Sequence, residues 1–261
     1  MDNNSLSLNE KALSLCCSGK SPSDEPVAVL MAGQPGAGKT SLLKQLFELP
    51  KYQNMVHLSM DRLHSLHPDF HKQKSERLTR SRIHEELRPV MAYLSSRCLE
   101  TRYNVVYDMI MSDPEQSLIQ IKELQELGYG VEVHALSVNY LDSLLSLCNR
   151  FIVENSRGVE AQWMPLEVHD YSYYAFPESI LSIQDNLPDI SINVWARKEG
   201  GLEKIYSAPT DGANPYGILI ENRLNSQSDL EWVQNNIASF INTYDLESEV
   251  RFWYDSNSKC L

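Results

Sequence analysis

The stretch 32-AGQPGAGKTSLL-43 decides the fold. Within it, Gly33-Gln34-Pro35-Gly36-Ala37-Gly38-Lys39-Thr40 follows the pattern G-x-x-x-x-G-K-[ST]. The apolar run 27-VAVLM-31 precedes it. A stretch from Lys39 to Leu49 follows, whose Leu42, Leu43, Leu46 and Phe47 fall on one helical face. Strand, glycine-rich turn, helix is the setting a phosphate-binding loop needs. The glycines let successive backbone N–H groups turn inward, and the helix N-terminus adds partial positive charge. In this reading residues 33–41, Ser41 included, bind the nucleotide. Lys39 reaches the β and γ phosphates of ATP, and the Thr40 hydroxyl coordinates Mg²⁺. A glycine-rich turn with no ligand is the bland alternative. The lysine, the hydroxyl and the flanking elements together weigh against it.

Outward from the loop, the chain alternates strands with helices long enough to be crossovers. A second strand is expected at 55-MVHLS-59, after Pro50 stops the first helix. Ile83, Leu87, Met91, Leu94 and Cys98 share a helix face over residues 77–101, with Pro89 as a kink. A third strand follows at 104-NVVYDMIM-111, then a helix capped by Asp113, started by Pro114 and ended at Gly128. A fourth strand, 131-VEVHALSV-138, leads to a helix from Tyr140. This order specifies an α/β fold with a parallel sheet flanked by helices. Beyond it, residues 165–176 and 178–187 read as two helices, 190–208 as a hairpin turning at 198-KEGG-201, and 215–243 as largely helical. Residues 1–25 read as a flexible or helical N-terminal arm before one domain, 26–261.

Composition narrows the class. The 261 residues carry 23 basic and 35 acidic side chains, a net charge of −12. Such a surface repels polyphosphate chains and anionic membranes, so nucleic acid and membrane are not expected partners. No apolar run is long enough to span a bilayer, and the first residues lack a secretory pattern. The five cysteines, at 16, 17, 98, 148 and 260, form no metal or redox motif and read as free thiols in a reducing cytosol.

The loop alone does not separate hydrolysis from transfer. No N-K-x-D guanine motif is present, and the third strand ends in a single acid, Asp108, followed by Met109. The stretch 59-SMDRLHSLHPDF-70 bears on the choice. Asp61 falls just past the carboxyl end of the second strand, where ligands of open parallel sheets bind. There it is either a general base facing the γ-phosphate or a cap of the following segment.

Together GQPGAGKTSL, the D-x₅-H-P element from Asp61 to Pro68, and the strand ending at Asp108 resemble the zeta-toxin family of P-loop kinases. NRF around Arg150, MPLEVHD at 164–170 and ISINVWARKEGGLEKIYS resemble its lid helix, the next helix start and its late hairpin. The resemblance implies a P-loop kinase with a helical lid and a late β-hairpin. It implies ATP and Mg²⁺ as cofactors, Asp61 as general base, and Lys39 and Arg150 neutralising the transferred phosphoryl group. Asp108, His67 and Arg62 are implied on the acceptor side. The implied reaction phosphorylates a small nucleotide-type metabolite, foremost the 3′-hydroxyl of the sugar in UDP-N-acetylglucosamine, with an antitoxin or inhibitor protein as partner.

The departures concern the acceptor. The family has a glutamate, then a Gly- and Arg-containing turn, where this chain has Asp108-Met109-Ile110-Met111-Ser112. The second lid arginine is replaced by Trp163 at its offset, leaving Arg157 as the substitute nucleotide ligand. NAD or another nucleotide therefore stands close behind as acceptor. A nucleic-acid end kinase and a non-kinase ATP-dependent switch are further alternatives. Lys72, Lys74, Arg77, Arg80 and Arg82 form a basic island that either steers a diphosphate or is a solvated helix face.

Overall fold

Residues 27–32 are apolar without a break, and the structure uses both faces. In this computed structural model, which describes residues 7–70, 77–156 and 166–225, strand β1 is Val27–Ala32. Ala28, Leu30 and Ala32 pack into one core and Val29 and Met31 into another, as the period of two requires. Helix α2 (Lys39–Phe47) covers the second core with Leu42, Leu43 and Leu46. The first core is covered by α1 (Leu8–Cys17), α4 (Arg77–Glu100), α5 (Pro114–Glu126), α7 (Leu166–Asn186) and α8 (Pro215–Asn225).

The remaining strands are β2 (Val56–Leu58), β3 (Val105–Asp108), β4 (Gly130–Ser137), β5 (Ser191–Lys198) and β6 (Gly201–Ala208). The sheet order is β2-β3-β1-β4-β5-β6, parallel except for the β5–β6 hairpin. The chain leaves β1 toward one edge and returns to its other side with β4. That reversal opens a crevice outside the carboxyl end of β1, where the glycine-rich loop begins.

Several expected elements take their predicted form. Asp113 caps α5 by accepting from Gln116 N at 3.0 Å, Pro114 starts it, and Gly128 follows it at φ 78°. Pro89 lies inside α4. Cys98 and Cys148 are core residues; the four cysteines at 16, 17, 98 and 148 are free thiols, with Cys17 and Cys98 Sγ 3.6 Å apart. Other elements differ. The third strand stops at Asp108 rather than running to residue 111, because its neighbour β1 ends there: Met109 N makes the last bond, to Met31 O at 3.3 Å. Over this stretch the structure has one helix, α7 (Leu166–Asn186), with Pro177 inside it, rather than two. Of the two readings of the leading segment, the helical one holds over α1. Ser7 and Glu10 form a capping box, and Ala12 and Cys16 of α1 are buried in the first core. Lys72 and Lys74, the side chains of Arg77 and Arg80, Arg157, Trp163 and the expected helix beyond residue 225 lie outside the described residues.

Under α2, a short 3₁₀ turn (Pro50–Tyr52) is fastened to β4 by a polar network. Lys51 Nζ lies 2.6 Å from Glu132, Tyr52 donates to Glu132 at 2.9 Å, and Trp195 donates to His134 Nδ1 at 3.1 Å. His134 therefore keeps its proton on Nε2, which stands 3.5 Å from Glu132. Burial alone raises the Glu132 pKa, but His134, Lys51 and Tyr52 outweigh it and hold it at about 2. A carboxylate with a depressed folded pKa stabilises the fold above its unfolded value and loses that contribution as pH falls. Glu132→Gln should thus cost about 2 kcal/mol at pH 7. In urea titrations, the variant should also lose part of the wild-type decline in stability between pH 4.5 and 2.

Candidate active site

In the loop between β1 and α2, the carbonyls of Gly33, Gln34, Gly36 and Ala37 are all held by side-chain donors. Gly36 and Gly38 adopt φ of 79° and 106°, which side chains with a Cβ disfavour. A Cβ on Gly36 would also lie 2.0 Å from the carbonyl oxygen of Ser143, so the loop abuts backbone there. Gly38 offers α2 no side-chain cap, leaving the helix start to a ligand. Lys39 Nζ donates to Gly33 O at 2.7 Å and Gln34 O at 3.3 Å. Thr40 and Ser41 are exposed at the start of α2, with Pro35 and Ala37 buried behind them.

Helix α6 (Tyr140–Ser156) rises from the carboxyl end of β4, and Asn139 caps its first turn by accepting from Asp142 N at 2.8 Å. Ser143 and Leu147 both press on Gly36. Arg150, seven residues after Ser143, lies on the same helical face, and its charge is felt at Lys39.

Two acids meet this group. Asp61 is in the first turn of α3 (Met60–His64), exposed at the carboxyl end of β2. Asp108 ends β3 and is mostly buried. Burial lowers the Lys39 pKa; Asp108, then Asp61, pull it back up, and Arg150 pushes it down. Burial raises the Asp108 pKa against the pull of Lys39. The structure therefore brings Lys39, Asp61, Asp108 and Arg150 into one electrostatic cluster at the head of the loop.

The other expected acceptor residues are placed differently. His67 is buried, accepts from Asp69 N at 3.1 Å on Nδ1, and so donates from Nε2 to Glu86 at 2.8 Å. It shapes the segment after α3. Arg82 is spent in the same segment, on Asp69 at 2.8 Å and Glu86 at 3.1 Å, as a helix-face reading of the basic island expects. Arg62 donates to the backbone carbonyls of His57 at 3.4 Å and Leu15 at 3.2 Å, which ties α3 to α1.

Two residues here were not singled out in the sequence. His57, on β2, points Nε2 at Asp108 Oδ2, 3.9 Å away. Burial, helped by Arg62, lowers its pKa to about 4 despite Asp61, so this is a neutral ring beside a carboxylate and not an ion pair. Arg197, at the end of β5, donates to Gly36 O at 3.1 Å and Ala37 O at 3.4 Å, and to Asp142 O at 3.2 Å and Ser146 Oγ at 2.8 Å. It joins the loop to the base of α6. No local motif announces either residue; both roles depend on chain segments far apart in sequence.

The chain is similar to known proteins of one family. The zeta toxin family model matches residues 14–207. Toxin zeta of Enterococcus hirae is 25% identical over 215 residues, covering 79% of this chain and 72% of that protein. Toxin PezT of Streptococcus pneumoniae is 25% identical over 164 residues, covering 59% and 61%. Among solved structures, that of the PezAT toxin–antitoxin system of Streptococcus pneumoniae aligns with a TM-score of 0.72 at 18% identity, over 90% of this chain and 93% of the other. The AvrRxo1-ORF1:-ORF2 complex with ATP aligns with a TM-score of 0.60 at 16% identity, over 88% and 76%.

The raised pKa of Asp108 has a direct consequence. A carboxylate whose folded pKa exceeds its unfolded value opposes folding while ionised, and that penalty fades as pH falls through the folded pKa. Asp108→Asn should raise the melting temperature by about 2 °C at pH 7 while lowering phosphotransfer. The gain should vanish at pH 4, as calorimetry at the two pH values would show.

Proposed function

The chain belongs to the zeta toxin family and is an ATP-dependent phosphotransferase, and we propose that it transfers the γ-phosphoryl group of ATP to a hydroxyl of a small nucleotide-type metabolite. The observation that carries this reading is the convergence of Lys39, Asp61, Asp108 and Arg150 at the open end of the loop. Residues 33–41 cradle the phosphates, and Lys39 moves from the Gly33 and Gln34 carbonyls to the β and γ phosphates. Asp61, exposed and across from Lys39, orients the acceptor hydroxyl and takes its proton. Arg150, from the lid helix, meets the charge of the transferred group, with Arg157 as a second lid cation. Thr40 and Asp108 are hard oxygen donors that suit Mg²⁺, which would neutralise phosphate charge when bound.

The acceptor proposed first is the 3′-hydroxyl of the sugar in UDP-N-acetylglucosamine; NAD is the second reading. Asp108, one methylene shorter than the family's glutamate and backed by neutral His57, supports an altered acceptor pocket. An antitoxin that obstructs the ATP site is the proposed protein partner. A non-kinase ATP switch is favoured only if ATP turnover ignores every metabolite.

The test offers ATP, Mg²⁺ and either UDP-N-acetylglucosamine, NAD or a whole-cell metabolite extract to the protein, with mass spectrometry reading the gain of one phosphoryl group. Asp61→Asn should keep ATP binding and lose transfer by about 10²–10⁴-fold. Near wild-type turnover in that variant excludes Asp61 as the base.

A further inference from the structure

The phosphate loop is tied to a part of the fold that the chemistry above leaves unused. Arg223, in the last turn of α8, is 5% exposed. Its guanidinium lies over the rings of Tyr173 and Phe176, at 4.1 Å and 4.6 Å from their centroids. Nη1 donates to the carbonyl of Tyr173 at 2.8 Å. That carbonyl is the one Pro177, four residues later and without an N–H, leaves unsatisfied within α7. Nη2 donates to Gln34 Oε1 at 2.7 Å.

Gln34 links this contact to the loop's working shape. Its side chain is fully buried and gives Nε2 to Val138 O at 2.9 Å. Its backbone carbonyl closes the loop by accepting from Ala37 N at 3.2 Å and from Lys39 Nζ at 3.3 Å. Both ends of the Gln34 amide are thus held, and the carbonyl that positions Lys39 belongs to the same residue.

The guanidinium is engaged with two acceptors and two ring faces, one acceptor in α7 and one in the phosphate loop. Among the described residues no carboxylate pairs with it, and burial pushes its pKa down to about 10, eased by Tyr173 alone. An apolar side chain between the two rings would leave the Tyr173 carbonyl and the Gln34 amide oxygen unpaired, so the arginine couples α7 to the loop in a way packing alone would not.

We propose that Arg223 is a positioning residue of the nucleotide site: by fixing Gln34 it holds the turn of the phosphate loop, and with it Lys39, in the shape that receives a triphosphate. It does so from the same guanidinium that repairs the proline break in α7. The inference rests on the ATP-binding reading of the loop. The competing role, repair of the Pro177 break and nothing more, is separated by experiment.

Isothermal titration of the full-length protein with Mg²⁺-ATP, and with inorganic tripolyphosphate as a probe of the loop alone, tests it on Arg223→Met, Gln34→Leu and the double variant. Each single change should weaken both ligands about tenfold or more, and the double variant should bind no worse than the poorer single. Arg223→Lys, which keeps a donor and the charge, should recover part of the loss. Unchanged ligand affinity in Arg223→Met with a lowered melting temperature leaves only the structural role and overturns the proposal. Losses that multiply in the double variant overturn it as well. If Arg223→Met does not fold, Gln34→Leu decides alone, because wild-type affinity there overturns the proposal. A wild-type protein that binds neither ligand removes the nucleotide-site reading itself.

Discussion

A phosphate-binding loop must keep most of its N–H groups for the ligand, so its shape has to be fixed by more than its own hydrogen bonds. In this chain the fixing is done through carbonyls and one side chain. Lys39 takes the carbonyls of Gly33 and Gln34, Arg197 takes those of Gly36 and Ala37, and Arg223 holds the amide of Gln34. Charge-assisted bonds are the strong kind, and three cations around one short loop also raise the potential that an incoming triphosphate meets. The two arginines arrive from β5 and α8, more than 150 residues after the loop. The loop is local in sequence but its rigidity is a property of the complete sheet.

That division explains what the sequence revealed and what it hid. The G-x-x-x-x-G-K-T pattern, the Asp113-Pro114 start of α5, its Gly128 stop and the β5–β6 hairpin were legible because each rests on neighbours within a few residues. The order of strands and helices followed from apolar runs and their spacing, as did the parallel sheet. Arg197 and Arg223 look like ordinary hairpin and helix residues until the chain folds. Pro177 reads locally as a break between two helices. The helix runs through it, and the carbonyl that the proline strands is taken by Arg223, 46 residues later. Ser7-Leu8-Asn9-Glu10 is a local signal too: its capping box marks α1 as a structured helix.

The acceptor side is harder to read because its charges are balanced rather than patterned. Lys39 is drawn up by Asp108 and Asp61 and pressed down by burial and Arg150. Asp108 is raised by its own burial and restrained by Lys39. His57 gives this region a neutral polar neighbour in place of another charge. Burial of these charges costs stability. Fold and donor side are therefore fixed by steric and backbone rules. In the reaction proposed above, the choice of acceptor is assigned to the side chains after Asp108, where the chain departs from the family pattern.

One further cluster shows why distances alone do not make an active site. Ser143 Oγ lies 2.8 Å from His169 Nε2, and His169 Nδ1 lies 3.2 Å from Asp170 Oδ1. Burial lowers the His169 pKa against the pull of Asp170, so the ring is neutral. The spacing is that of a hydrolase triad, but the serine hydroxyl also has the carbonyls of Tyr140 at 2.9 Å and Asn139 at 3.1 Å to donate to, at the start of its own helix. Both Ser143 and His169 are fully buried, so no substrate carbonyl can approach the hydroxyl. Tyr140 fills the remaining side, donating to Asp170 at 2.7 Å and packing edge-on to His169. The row instead fastens α6 to α7 at the residue whose carbonyl faces Gly36. Its chemistry is spent on holding the lid helix against the phosphate loop, the same constraint from which the rest of the site is built.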